Sequence, residues 1–295
     1  MPIHDSVTLN TGAVMPTIGL GTWKSAPGEV EKAVEYALKE AGYRHIDTAY
    51  DYGNEAEVGQ GIKASGVPRK EIFLTTKLPN SHHGNVQKAL EESLAKLDSG
   101  YIDLWLMHWP APMKDGKADK SLDWLDAWKA MEKIYEDQKD KVKAIGVSNF
   151  SVPYLERLLK EAKIVPAVNQ VELHPSCPQT ALVEFCRSKG IVLTAYSPLG
   201  SDNSPLLKNE IVTKIAAQHN VHPARILVSL WANTRGATVL PKSVKPSRIA
   251  ENIKVVELSA EDMAALMKIE HFNKFRACKP TWTGWGNLGF DDIEA

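Results

Sequence analysis

TIGLGTWK, residues 17 to 24, bears on the choice between two folds. An apolar run carrying Gly-x-Gly can open a doubly wound sheet, whose first turn wraps a phosphate and needs a third glycine where helix packs on strand. Gly19 and Gly21 supply the first two. The third is missing, and bulky Trp23 stands where backbone must approach a ligand closely. The fingerprint is incomplete, so the decision passes to the pattern of the whole chain.

That pattern is a series of short apolar runs. After the run from Thr17 come HIDTA from His45, IFLTTK from Ile72, DLWLMHW from Asp103, AIGVSNF from Ala144, AVNQVELH from Ala167, IVLTAYSPLG from Ile191 and ATVLPKS from Ala237, eight in all. Helical sequence lies between them. Val30, Ala33, Val34, Ala37 and Leu38 fall at i, i+3, i+4, i+7 and i+8, with Gly42 placed to end the helix. Val86, Leu90, Leu94 and Leu97 repeat the pattern after the third run. Ser151 reads as the N-cap of a helix carrying Leu155, Leu158 and Leu159. Eight buried strands, each followed by helical sequence, in 295 residues predict an α/β fold, the (β/α)8 or TIM barrel, as a single domain over residues 1–295. Ahead of it VTLNTGAVMP reads as a hairpin that turns at Asn10-Thr11-Gly12. Stretches near 208–220 and 259–269 read as two extra helices. The tail, 271–295, holds Trp282, Trp285 and Phe290 among glycines and reads as an ordered loop folded back over the barrel.

Composition narrows the function classes. The chain is 43% hydrophobic and 24% charged, as soluble globular proteins are. Lys+Arg 35 against Asp+Glu 36 gives a net charge of -1, with no bulk attraction to nucleic acid or an acidic membrane. No apolar run approaches the roughly 18 residues of a membrane span, and MPIHDSVTLN has no apolar core of signal-peptide length. Cys177, Cys186 and Cys278 are odd in number and widely spaced, which fits a reducing compartment. The expectation is a cytoplasmic monomer.

In such a barrel the chemistry belongs at the C-terminal ends of the strands. Asp47 ends the second run, Lys77 the third and His108 the fourth, 30 and then 31 residues apart, one βα unit per step. Tyr50 and Tyr52 follow Asp47 by one loop length in DTAYDYGNE, residues 47 to 55. Singly, each has an ordinary structural explanation: a cap, a strand end, a core histidine, a half-buried aromatic. Together on one rim they form an acid–base site. A phenol near pKa 10 is a poor proton donor at neutral pH. An adjacent ammonium stabilises the phenolate and is expected to lower that pKa; the aspartate holds the lysine, and the histidine orients a carbonyl. No HExxH or barrel-type HxH occurs, and adjacent His82 and His83 read as loop residues, so no metal is expected.

GLGTW, DTAYDYGNE, Lys77, LMHWP, IGVSNF, VNQVELHP, AYSPLGS and LPKSVKPSRIAEN, in this order, resemble the aldo-keto reductases from about residue 7 to the tail. In character the chain is similar to fungal members acting on glycerol, glyceraldehyde and sugar-derived aldehydes. The resemblance implies reversible hydride transfer between NADPH (NADP+ in reverse) and an aldehyde or ketone. Asp47, Tyr52, Lys77 and His108 then match the catalytic residues, with Tyr52 as proton donor. Thr22, Trp23, Ser148, Asn149, Gln170 and Tyr196 match positions around the nicotinamide, where Tyr196 stacks on the ring. Ser197, Leu199 and Ser201 match the pyrophosphate path. Lys242, Ser243 and Arg248 match the 2′-phosphate site, where Arg presents a fork and Lys a point charge, and Glu251 and Asn252 match the adenine end. Trp23, Tyr52, His108, Trp109, Cys278, Trp282 and Trp285 are the expected substrate pocket.

Three positions depart from the family pattern. The stretch SDNSPLLKNE, which starts at Ser201, the last residue of AYSPLGS, is a short lid, Pro79 replaces an aromatic pocket residue, and Lys245 replaces a small polar one. Other readings of the same residues are alcohol (glycerol) oxidation as the main direction, a Schiff-base aldolase on Lys77 or Lys242, and a non-catalytic binding role.

Overall fold

A computed structural model describes residues 5–294; Met1 to His4 of the N-terminal stretch and Ala295 of the tail lie outside the described residues. A hairpin, β1 (Ser6–Thr8) and β2 (Val14–Pro16), comes first, its turn closed by the Gly12 amide on the Leu9 carbonyl at 2.9 Å. Gly12 holds φ +84°, which is why glycine ends Asn-Thr-Gly.

The eight apolar runs form eight parallel strands. They are β3 (Leu20–Gly21), β4 (His45–Asp47), β5 (Phe73–Leu78), β6 (Leu104–Met107), then, past a small ribbon, β9, β10, β11 and β12. The ribbon is β7 (Met113–Lys114) with β8 (Lys117–Ala118). The last four barrel strands are β9 (Ile145–Ser148), β10 (Val168–Glu172), β11 (Val192–Tyr196) and β12 (Ala237–Leu240). Their residues are buried almost without alternation, because parallel strands covered on both faces have no solvent side.

The opening Gly-x-Gly closes this barrel. Gly19 N donates to Val239 O at 2.9 Å, Val239 N to Thr17 O at 2.8 Å and Gly21 N to Pro241 O at 3.1 Å, joining the first strand to the last. A Cβ on Gly19 would sit 2.5 Å from the His45 ring, so this glycine makes room for a neighbouring strand's side chain.

Helices follow the strands: α1 (Val30–Lys39), α2 (Glu55–Ser65), α3 (Val86–Leu97), α4 (Trp124–Asp137), α5 (Val152–Glu161) and α6 (Thr180–Ser188). Then come α7 (Glu210–Gln218), α8 (Pro223–Ala232), α9 (Pro246–Asn252) and α10 (Ala260–Met267). α7 and α10 are the two additions to the eightfold repeat, at the places the sequence indicates. α1 buries Val30, Ala33, Val34, Ala37 and Leu38, the face its spacing predicts. α10 starts in a capping box between Ser259 and Asp262. Ser151 departs from expectation. It occupies the N-cap of α5 but caps nothing, because its hydroxyl donates to Leu288 O of the tail at 2.7 Å.

The hairpin plugs the N-terminal end of the barrel. Leu9 and Met15 pack with Phe73, Leu104, Ala144, Ala167 and Val192, which begin or precede their strands. That leaves the opposite, C-terminal end open to a ligand.

Candidate active site

Three successive βα repeats deliver Asp47, Lys77 and His108 to the open end. Asp47, last residue of β4, and Lys77 in β5 are buried, and Lys77 Nζ lies 2.7 Å from Asp47 Oδ1. The ammonium also donates to Thr48 O at 2.8 Å and Tyr52 Oη at 3.2 Å. Tyr52 ends a 3-10 turn, Tyr50–Tyr52, closed by Gly53 in the left-handed region. With Lys77 donating to the phenol oxygen, the phenol proton is free to point into the cavity. The other Asp47 oxygen accepts from Gln170 Nε2 at 2.7 Å, and the Asp47 carbonyl accepts from Thr22 Oγ1 at 2.9 Å. The aspartate is therefore held from β5, from β10 and from Thr22 just past β3.

The ring of His108 meets that of Tyr52 edge-on at 5.7 Å between centroids, and its Nδ1 lies 3.1 Å from Asp51 Oδ2. Asn149 donates through Nδ2 to His108 O and to Ser148 Oγ, each at 3.0 Å, while its Oδ1 accepts from Tyr196 Oη at 2.7 Å. Ser148 Oγ donates to Gln170 O at 2.8 Å. The structure thus brings Asp47, Tyr52, Lys77 and His108 together and links them to Ser148, Asn149, Gln170 and Tyr196. Tyr50 turns away, its hydroxyl donating to Glu92 Oε2 at 2.5 Å.

Burial dominates the electrostatics. It pushes the Tyr52 phenol well above its ordinary range, with Asp47 adding to the shift. The expected lowering by Lys77 does not prevail, because burial is the largest contribution and Asp47 adds to it. Burial lowers Lys77, opposed by Asp47. It also lowers His108, opposed by the hydrogen bond to Asp51. The imidazole is thereby kept neutral at neutral pH.

One cavity of about 1190 Å³ runs from this cluster along the strand ends. That exceeds a typical small-molecule pocket and suits a long ligand beside a short one. Around the acid–base cluster it is lined by Tyr52, His108, Trp109 and Cys278, with the exposed Trp23 and Trp282 also on its wall; away from the cluster stand Lys242 and Arg248, both exposed. Ser197, Leu199 and Ser201 line the middle. Ten non-glycine residues among those described have positive φ, and five of them, Lys24, Asn149, Ser197, Ser201 and Asn203, line this one cavity. Strained backbone concentrated at one place marks a site shaped for a ligand rather than for stability. Across the cleft Lys24 Nζ meets Asp202 Oδ2 at 2.9 Å, so even the short lid reaches the opposite wall.

Several expected residues lie off the cavity. Trp285 donates through Nε1 to Pro112 O at 2.8 Å and braces the β7–β8 ribbon instead of lining the pocket. Ser243, Glu251 and Asn252 do not line it either, and the Glu251 carboxylate is taken by Lys254 at 2.6 Å. Pro79 is buried beneath Asn80 and Ser81, which face the cavity in its place. Asp51, Asn80, Met113 and Gly116 are lining residues that the sequence reading missed. For Met113 and Gly116 a signal existed: Asp115-Gly116, with φ +50° and +74°, is a two-residue hairpin turn. Among the described residues no group of three or more His, Cys, Asp and Glu side chains could hold a metal ion, and no helix is long and apolar enough to cross a membrane.

Comparison with known proteins agrees with this architecture. The chain is 47% identical to a glycerol 2-dehydrogenase (NADP(+)) of Saccharomyces cerevisiae, covering 95% of this chain and 97% of that one. It is 47% identical to a D-galacturonate reductase of Hypocrea jecorina, covering 90% of each, and 41% identical to a D/L-glyceraldehyde reductase of the same organism, covering 94% and 92%. The solved aldose reductase of Schistosoma japonicum superimposes with a TM-score of 0.89 at 38% identity, covering 98% of this chain and 99% of that one. Residues 17–271 match the model of the aldo/keto reductase family, and the chain belongs to that family.

Proposed function

We propose that this enzyme reduces small hydroxylated aldehydes of the glyceraldehyde and sugar-acid class to alcohols, reversibly, with NADPH. The observation that carries the reading is Lys77 Nζ between Asp47 Oδ1 at 2.7 Å and Tyr52 Oη at 3.2 Å, behind a cavity with cations at its far end. The donor set suits a phosphorylated dinucleotide: Ser148, Asn149 and Gln170 for a carboxamide, the Tyr196 ring for stacking, and Lys242 with Arg248 for a terminal phosphate. When bound, NADPH supplies the hydride.

The chain's own residues handle the proton. Tyr52 keeps its proton at neutral pH, since an ordinary phenol titrates near 10 and burial raises this one further. As negative charge grows on the substrate oxygen, Tyr52 gives up that proton, and the Lys77 ammonium stabilises the phenolate through the hydrogen bond it already makes. Neutral His108 orients the carbonyl, and Asp47 keeps the ammonium fixed so that little reorganisation is needed.

A Schiff-base aldolase on Lys77 is disfavoured, and one on Lys242 is left to the trapping test below. Lys77 is buried, has three partners on its Nζ and does not line the cavity. Named relatives acting on glycerol, glyceraldehyde and D-galacturonate support the substrate class. The test is NADPH oxidation against glyceraldehyde, aldoses, uronic acids and aromatic aldehydes, each also run with NADP+ and the alcohol. Absence of carbonyl-dependent oxidation, or borohydride trapping of substrate without nucleotide, overturns the proposal.

A further inference from the structure

Glu172 takes no part in this chemistry, yet it touches the substrate wall twice. It is the last residue of β10, wholly buried, and lies in register beside Tyr196 of β11. Its Oε1 accepts from the Ala277 amide at 2.7 Å and its Oε2 from the Cys278 amide at 2.7 Å. His174, also wholly buried, places Nε2 2.8 Å from Oε1. Burial opposes an ionised carboxyl here, but His174 and the two amides outweigh it and hold the group below its ordinary range.

The neighbouring tail residues are tied to the same place. Phe275 N donates to Ser176 O at 3.2 Å, and its ring lies over that of His174 with centroids 4.7 Å apart. A Cβ on Gly200 would come within 2.9 Å of Phe275 Cζ, so this ring also abuts the loop that carries Leu199 and Ser201. Ala277 and Cys278, the two residues Glu172 holds, line the cavity. Of these ties, Glu172 is the one that reaches the two lining residues themselves and so bears on how far they stand from Tyr196.

We infer that Glu172 is the positioning residue of the substrate wall: by holding the Ala277 and Cys278 amides it fixes the cavity's width at the reacting end and so selects among aldehydes. The selection rests on the carbonyl-reductase reading; the clamp itself does not. Two charge-assisted bonds to consecutive amides of an irregular segment give it the necessary stiffness.

The test is Glu172→Gln, which keeps the shape but offers one acceptor to two amides. KM for short polyol aldehydes is expected to rise by up to about tenfold, the ceiling set by re-seating a wall that has lost one charge-assisted bond. Bulky aldehydes should gain in rank, while kcat and NADPH affinity move little. A lower Tm with KM and ranking unchanged makes Glu172 merely structural and overturns the inference. Should the variant not fold, hydrogen exchange in the native chain decides. Ala277 and Cys278 amides as slow as those of β10 support the clamp, and exchange at the rate of exposed loops overturns it. If neither protein reduces any carbonyl, the catalytic proposal falls while the exchange result still judges the clamp.

Discussion

Asp51 Oδ2 stands 3.1 Å from Nδ1 of His108, pairing a cavity-lining carboxylate with the imidazole that faces Tyr52. The pair opposes the effect of burial: burial favours neutral His108, and Asp51 favours the cation. Asp51→Ala is expected to move the His108 limb of the pH–kcat profile to lower pH, because the imidazolium loses its counter-charge. Steady-state rates across pH 4–9 check this. An upward shift would mean that Asp51 does not act through His108.

Tyr52→Phe removes one hydroxyl from the inner end of the cavity. Single-turnover reduction should slow by at least roughly 10²–10⁴-fold, the usual contribution of a positioned acid, with NADPH affinity nearly intact. Nucleotide fluorescence titration measures the second quantity. A rate within a few-fold of the native enzyme removes Tyr52 from the proton-donor role.

Two buried histidines predict an acid limb of stability. Burial lowers His45 to about 4 and His83 to about 3. An unfolded histidine titrates near 6.5, so between that pH and the folded values the unfolded state binds more protons. Stability conferred by these groups is fully present above about pH 6.5 and is lost as pH falls toward 4 and then 3. For His45 alone, a shift from 6.5 to about 4 corresponds to about 3 kcal/mol. Tm should already decline between pH 6.5 and 5, before most carboxylates titrate. A flat Tm through that window counts against neutral, buried rings at these positions.

The fold was legible because burial writes itself into periodicity. Parallel strands covered on both faces become apolar runs, and α1 and α3 show their buried faces at helical spacing. Asp47, Lys77 and His108 could be placed because one βα unit separates each from the next. Contacts between distant segments leave no such trace. Ser151 has the chemistry of a cap, yet its hydroxyl serves Leu288, 137 residues on. Glu172 reads as one more strand residue until Ala277 and Cys278 arrive more than a hundred positions later. Asp51 escaped because its partner, His108, lies on another strand's end. The tail shows the same limit. It reads as an ordered loop over the barrel, but the depth of its anchoring does not show: Leu288, Phe290 and Ile293 are buried in the core, and Arg276 pairs with Asp292 at 2.9 Å. Truncation there would unseat packing as well as the pocket wall.

Arg248→Ala tests the nucleotide end. Arg248 lines the outer cavity and is exposed, so one charge-assisted bond to a phosphate belongs at the lower end of about 1.5–3 kcal/mol. NADPH affinity should drop about tenfold while NADH affinity holds. Equal losses for both nucleotides would make Arg248 structural.

Trp282 permits a probe of substrate choice that truncation does not. Its indole is 57% exposed and meets Trp109 edge-on at 6.0 Å, so Trp282→Ala removes cavity wall while leaving the core beneath it in place. A short polyol aldehyde has little apolar surface and relies on a narrow wall to hold it near Tyr52; a bulky aromatic aldehyde carries its own packing surface and benefits from room. Room opened at the wall should change relative kcat/KM about tenfold in favour of the aromatic aldehyde, a difference of about 1.4 kcal/mol. NADPH affinity should not move, because the nucleotide end of the cavity lies at Lys242 and Arg248. Competition between glyceraldehyde and benzaldehyde in one vessel reads the ratio directly. An unchanged ratio would mean that Trp282 stands at the mouth without touching what passes through it.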